Sequence, residues 1–238
     1  MLHVQNLTVW YENFTALNEV TLTLPAGQIY GLIGPNGAGK STMLKVCAGI
    51  IRDYDGTVRF KEKTIKEDYY RLKRQVGYAP EDVELLPYLS GKEFLQMIGG
   101  IRQLKHAGDE INFLLEMLGL RQEAEQLILN YSHGMRQKLS LAAALLGNPP
   151  LLLLDEALNG LDTLALFRLK AYLRNVAAAG GLVIIASHIL PLIKEWCDLL
   201  IVMHKGSILR KLSQADIART ETEQNMSFEE FFIKLVIR

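Results

Sequence analysis

The sequence predicts an α/β fold: a core on a mixed sheet, an antiparallel β subdomain at the N-terminus, and an inserted α-helical subdomain. Three observations carry that prediction. The apolar run QIYGLIG ends directly in the glycine-rich GPNGAGKST, as a buried strand feeding a loop and a helix does. Two further short apolar runs, LLLLD and LVIIAS, are flanked by helical stretches, the pattern of parallel strands buried on both faces. From Ser90 to Leu146, by contrast, the apolar spacing is helical.

LHVQNLTVWY alternates imperfectly and VTLTLP alternates through Val20, Leu22 and Leu24, so both read as strands; TVRF is expected to follow a turn at Asp55-Gly56. A helix should open near Lys40 with Met43, Leu44 and Cys47 on its apolar face. GKEFLQMIGGI, DEINFLLEMLGL and SHGMRQKLSLAAALL predict helices, with Gly99-Gly100 and Gly119 ending them. DLLIVMHKGSIL predicts a strand, a Lys205-Gly206 turn and a strand. In SFEEFFIKLVIR, Ser227 and Glu230 form a capping-box pattern, and Phe228, Phe231, Phe232, Leu235 and Val236 make one stripe, expected to dock on the body. The chain then divides into a core with its β subdomain at 1–81 and 151–215, a helical subdomain at 82–150, and a tail with an amphipathic helix at 216–238.

At 238 residues, 49% hydrophobic and 22% charged, the chain has the composition of one large folded domain or two lobes on a shared core. Lys+Arg and Asp+Glu each number 26, so no net positive charge points to nucleic acid, and no nucleic-acid partner is expected. Cys47 and Cys197 lie far apart, in no metal-like spacing, and read as reduced thiols. The opening MLHVQNLTVWYENF lacks the basic and apolar regions of a signal peptide, and Asn148-Pro149-Pro150 interrupts the longest apolar stretch. No bilayer-spanning segment is expected, and a cytoplasmic location is.

GPNGAGKST, Gly34 to Thr42, places Gly34, Gly39, Lys40 and Ser41 at the positions a phosphate loop requires. Glycines let the backbone wrap phosphate oxygens, and the following helix adds its positive end, so Gly34, Pro35, Asn36, Gly37, Ala38, Gly39 and Thr42 are candidate nucleotide contacts. Lys40 supplies a compact charge to the β- and γ-phosphates, and Ser41 a hydroxyl to Mg²⁺. LLLLDE sets Asp155 and Glu156 at the C-terminal end of a buried strand, where open α/β sheets bind ligands. Asp155 can hold Mg²⁺, mainly through water, and Glu156 is then positioned to orient or deprotonate the attacking water.

Together these residues resemble the ATP-binding subunits of ABC transporters over nearly the whole chain, which implies the ABC ATPase form of the P-loop NTPase fold. GPNGAGKST is similar to that family's Walker A, and LLLLDE to its Walker B with the catalytic glutamate. NGLD resembles the D-loop, which gives Asp162 an intersubunit role. ASH resembles the switch-histidine segment, so His188 is expected to contact the γ-phosphate. Tyr11 falls where the family places an aromatic that stacks on adenine, and strand alternation sends its neighbour Trp10 to the opposite face.

Three segments depart from the family pattern. In YAPED, Glu81 stands where the Q-loop glutamine is usual; a carboxylate keeps acceptors, adds charge, and is compatible with an indirect Mg²⁺ contact. The D-loop lacks its usual proline, Ala157-Leu158 following Glu156. The signature, usually LSGGQ, has two near-matches. LSGKE, Leu89 to Glu93, lies far from LLLLDE, and its Ser90 and Glu93 fit a capping box. YSHGM, Tyr131 to Met135, has the right place and a helical sequel. It keeps Ser132 and Gly134, which supply a hydroxyl and close backbone approach at a helix start, while Tyr131, His133 and Met135 read as tolerated replacements.

YAPED and YSHGM resemble the exporter-type branch of the family, so the resemblance implies an ATP- and Mg²⁺-dependent hydrolase driving export. Two copies, or one copy and a similar subunit, would sandwich two ATP, with Ser132 and Gly134 of each chain serving the other's nucleotide. A separate transmembrane permease would hold the pair at the cytoplasmic face of a membrane. The competing classes are an ABC-type ATPase acting on nucleic acid or ribosomes, and a weakly hydrolysing ATP-gated regulatory module.

Overall fold

A hairpin opens the structure. In this computed structural model, which describes residues 1–67, 69–223 and 226–236, β1 (Leu2–Tyr11) and β2 (Phe14–Leu24) pair antiparallel around a tight turn at Glu12-Asn13. After β3 (Gln28–Ile33) and α1 (Lys40–Cys47), β4 (Asp55–Phe60) and β5 (Lys63–Thr64) complete a four-stranded antiparallel sheet of order β2-β1-β4-β5. The remaining elements in chain order are α2 (Tyr69–Gln75), β6 (Val76–Ala79), α3 (Gly91–Ile101), α4 (Gly108–Met117), α5 (His133–Leu145), β7 (Leu151–Asp155), α6 (Thr163–Ala178), β8 (Leu182–Ala186), α7 (Leu190–Trp196), β9 (Leu199–His204), β10 (Ser207–Ser213), α8 (Gln214–Glu223) and α9 (Phe228–Val236).

The second sheet runs β10-β9-β3-β8-β7-β6, parallel except for β10, and is the predicted mixed sheet. Its central strands are buried on both faces, which is why they read as continuous apolar runs. Successive residues part to opposite sides: Leu151, Leu153, Ile184, Tyr30 and Leu32 pack towards α1 and the antiparallel sheet. Leu152, Leu154, Val183 and Ile185 pack towards the helical side with Leu139, Leu141 and Leu145 of α5 and Leu95 of α3. Met43, Leu44 and Cys47 are buried on α1, on the face the spacing predicted.

Two glycine expectations change. Asp55-Gly56 lies inside β4 rather than before it: Gly56 has a φ of 91°, and a Cβ there would sit 2.3 Å from the Asn6 carbonyl oxygen, so the glycine admits a close backbone crossing opposite an irregularity in β1. Gly99-Gly100 does not end α3, which continues to Ile101; a Cβ on Gly99 would lie 3.3 Å from Ala107 Cβ, so this glycine accommodates a neighbouring segment. Gly119, with a φ of 69°, does follow the end of α4. Beyond Ile101, the half-buried Arg102 guanidinium donates to the Leu146 carbonyl oxygen, tying the end of α3 to the residue after α5.

The tail docks as its stripe predicts. Ser227 Oγ accepts from the Glu230 N–H at 3.2 Å, Glu230 Oε2 accepts from the Ser227 N–H at 2.9 Å, and Phe228 is buried in the core. Ile237 and Arg238, the last residues of SFEEFFIKLVIR, lie outside the described residues. Among the described residues no helix is long and apolar enough to cross a membrane.

Candidate functional site

Strands β3, β7 and β8 are neighbours in the sheet and end at the same edge, and each delivers one part of a cleft. From β3 the loop 34–39 turns into α1. Gly37 and Gly39 take φ of 77° and 99°, which L side chains rarely adopt. A Cβ on Gly34 would meet the Met203 carbonyl oxygen at 2.3 Å, and one on Gly39 the Ala16 carbonyl oxygen at 2.7 Å, so the loop is seated directly on β9 and β2. Lys40 is buried and donates to the Gly34 and Pro35 carbonyl oxygens at 2.8 and 3.2 Å. Its pKa is held below the usual lysine value by burial, against the opposing pull of Glu156, Asp155 and Glu81.

At the end of β7, Asp155 is buried and receives two hydroxyls: Ser41 Oγ donates to Oδ1 at 2.9 Å and the Tyr78 hydroxyl to Oδ2 at 3.2 Å. Burial raises the Asp155 pKa, while those two hydrogen bonds oppose the rise. Glu156 follows with a φ of 49°, a left-handed conformation uncommon outside glycine, held by its N–H donating to the Ala186 carbonyl oxygen at 2.8 Å. Its Oε2 faces the segment after β8, accepting from the His188 N–H at 3.3 Å and lying 2.8 Å from His188 Nδ1. From beyond β6, Glu81 reaches the same cleft; its pKa is raised by partial desolvation there and by Asp155 and Glu156, with Lys40 opposing.

The cleft encloses about 560 Å³ and is lined by Phe14, Ala16, the loop residues Asn36 to Thr42, Glu81, Glu156 and His188. That volume is in the range of small-molecule sites. Three carboxylates, Glu156, Asp155 and Glu81, bear on one lysine, an acidic excess that an added cation would offset. The oxygen donors Ser41 and Asp155, already within hydrogen-bond distance, suit a hard ion such as Mg²⁺. Among the described residues no group of three or more His, Cys, Asp or Glu side chains stands as a complete ligand cage. A Mg²⁺ site that takes its other ligands from phosphate and water has that composition.

The remaining predicted residues lie outside this wall. Tyr11 is not part of it: its ring stacks on Phe14, centroids 5.6 Å apart, and Phe14 faces the cleft. Ser132, Gly134 and Asp162 gather elsewhere. Ser132 is the N-cap of α5, its Oγ accepting from the Met135 N–H at 3.2 Å. A Cβ on Gly134 would lie 3.6 Å from the Gly160 carbonyl oxygen, so the start of α5 abuts the NGLD turn. Asp162 caps α6, accepting from the Ala165 N–H at 2.9 Å, and pairs with Lys138 of α5 at 2.7 Å. Lys138 and that backbone bond hold its carboxyl below the usual range. Ser90, in the competing segment, has the full capping box with Glu93.

Two site residues escaped the sequence reading. Phe14 faces Tyr11 across the β1–β2 hairpin, a pairing that YENF signals through its two-residue turn. Tyr78 pairs with Leu153 on β7, two residues before Asp155, a register that only the sheet supplies.

Comparison with known proteins places the chain in a family. A family model described as ABC transporter matches residues 17–159. The chain is 34% identical over 233 residues to the bacitracin transport ATP-binding protein BcrA of Enterococcus faecalis, covering 97% of this chain and 74% of that one. It is 33% identical over 209 residues to the lantibiotic transport ATP-binding protein SrtF of Streptococcus pyogenes, covering 88% and 89%. A solved structure titled as the ATP binding subunit of an ABC transporter superposes with a TM-score of 0.90 at 29% identity, covering 99% of each chain. A dimeric ATP-binding cassette bound to ADP and Pi has the same fold, with a TM-score of 0.81 at 23% identity, covering 90% of this chain and 99% of that one. The chain belongs to the ABC transporter family, among its ATP-binding subunits.

Proposed function

We propose that the chain is the ATP-hydrolysing motor subunit of an exporter, acting through a separate transmembrane permease at the cytoplasmic face of a membrane. The observation that carries this reading is the convergence of Lys40, Ser41, Glu156 and His188 on one cleft, with Asp155 bonded to Ser41 beneath it. In this reading 1–81 and 151–215 form the ATP-binding core, 82–150 the moving helical part and 216–238 a docked tail.

The loop 34–39 and the N-terminal end of α1 bind the phosphates, and Lys40 exchanges its carbonyl partners for β- and γ-phosphate oxygens. Ser41 and Asp155, with Glu81 through water, would hold Mg²⁺, which neutralises charge on the transferred phosphoryl group. Glu156 orients the attacking water and accepts its proton. His188, whose Nδ1 faces Glu156, has Nε2 left for a γ-phosphate oxygen. The Tyr11–Phe14 pair offers a ring face to adenine. A second copy, or a similar subunit, supplies Ser132 and Gly134 to the same nucleotide, with Asp162 at the contact between subunits.

Export is supported by the likeness of YAPED and YSHGM to the exporter-type branch. The test is affinity purification from detergent-solubilised membranes. A multi-span membrane protein should co-purify in fixed ratio; recovery with ribosomes or DNA instead would overturn the transporter reading.

A further inference from the structure

Tyr131 stands where the family's signature carries leucine, and the fold does more than tolerate it. The side chain is 2% exposed, and its hydroxyl donates to the Glu123 carbonyl oxygen at 2.7 Å. Gly91 closes over the same phenol oxygen. A Cβ on Gly91 would lie 2.3 Å from that oxygen and 3.1 Å from Cζ, so only glycine admits the ring here. Gly91 is the glycine of LSGKE and the first residue of α3. The two segments that compete as signatures in the sequence therefore touch in the fold, one supplying the glycine and the other the hydroxyl.

Backbone bonds extend this seam. The Ile128 N–H donates to the Leu89 carbonyl oxygen, the Leu129 N–H to that of Pro87 and the Lys92 N–H to that of Ala124, each at 2.9 Å. Ser90 and Leu127 form an antiparallel bridge. The segment that follows Glu81 is thus laced to the one that precedes Ser132. A leucine at 131 is smaller, and would leave a void against Gly91 and the Glu123 carbonyl oxygen without this partner.

We propose that Tyr131 is a positioning residue for ATP hydrolysis: bridging Gly91 and Glu123, its hydroxyl fixes the first turn of α5, and with it Ser132 and the N–H groups presented to a phosphate. The proposal rests on the reading above in which Ser132 serves the nucleotide of the paired subunit. Position matters there because the field of a helix N-terminus falls off within one turn, and small misplacements of a binding group slow chemistry steeply.

The test uses the purified full chain, with kcat and KM for ATP, and binding of a fluorescent ATP analogue, measured for Tyr131→Phe, Tyr131→Leu, Gly91→Ala and Ser132→Ala. Tyr131→Phe keeps the ring and removes one hydrogen-bonding group. Its kcat should fall about fivefold with analogue affinity unchanged, because the chain's own nucleotide cleft is untouched. Gly91→Ala, which drives a methyl into the hydroxyl, should lower kcat alone but add nothing on top of Tyr131→Leu. If Tyr131→Phe keeps full kcat while Ser132→Ala loses it, the positioning role is overturned and the Ser132 reading stands. If Ser132→Ala also keeps full kcat, both fall. A loss in Tyr131→Phe matched by a proportional loss of affinity would make the tyrosine merely structural and overturn the proposal.

Discussion

Glu156 Oε2 lies 2.8 Å from His188 Nδ1, joining the carboxylate after β7 to the imidazole after β8. The two are unequal: the Glu156 side chain is 7% exposed and that of His188 63% exposed. His188 therefore contributes little to the core, and its removal should act on chemistry rather than on folding. His188→Ala is expected to lower kcat about 10²-fold with the thermal midpoint unchanged, as phosphate release and calorimetry would show. Full activity in the variant would remove His188 from the mechanism.

Asp155 links function to a cost in stability. Burial raises its pKa, so between the ordinary carboxylate value and the raised one the unfolded chain has ionised while the folded chain keeps its proton. Nucleotide-free stability consequently falls as pH rises through that window. Asp155→Asn removes the charge, and the Ser41 and Tyr78 hydroxyls can rotate to suit the amide. The variant should match the wild type in acid and melt a few degrees higher at pH 7, at about 2–4 °C per kcal/mol for a chain of this size, while losing Mg²⁺-supported hydrolysis. Denaturation scans at both pH values check the sign.

The adenine platform makes a comparative prediction. Phe14 faces the cleft and Tyr11 reaches it only by stacking on Phe14. Phe14→Ala should raise the KM for ATP about fivefold, the worth of one ring contact, and Tyr11→Ala should raise it less. A larger loss from Tyr11→Ala would put the base on Tyr11 instead.

Ser90 and Ser132 are both helix N-caps, so alanine at either should cost about 1 kcal/mol of stability. Only Ser132→Ala should also impair ATP-driven dimer closure and hydrolysis, with His133→Gly doing little. Light scattering with ATP and an ATPase assay separate the two serines; an inactive Ser90→Ala beside an active Ser132→Ala would exchange their roles.

Much of this was legible in the residues because local chemistry suffices for it. The phosphate loop needs its glycines and Lys40 in one short stretch, and LLLLDE carries both its burial and its carboxylates. What was hidden depends on partners distant in sequence. Gly99 looks like a helix end until Ala107 is seen against it, and Gly56 like a turn until Asn6 crosses it. Tyr131 reads as a tolerated replacement because its justification, Gly91, lies forty residues earlier and itself resembles part of another motif. Phe14 lost to Tyr11 because alternation along β1 compares residues 10 and 11, whereas the ring that reaches the cleft is on the other strand of the hairpin.

On this reading Glu156 performs the chemistry of an ATP hydrolase in a cleft that binds nucleotide without it. The direct measurement is steady-state phosphate release from Mg-ATP by the wild type and Glu156→Gln, beside ATP binding by both. The expected result is a loss of about 10²- to 10⁴-fold in kcat with ATP binding retained. Equal rates for the two proteins would contradict it.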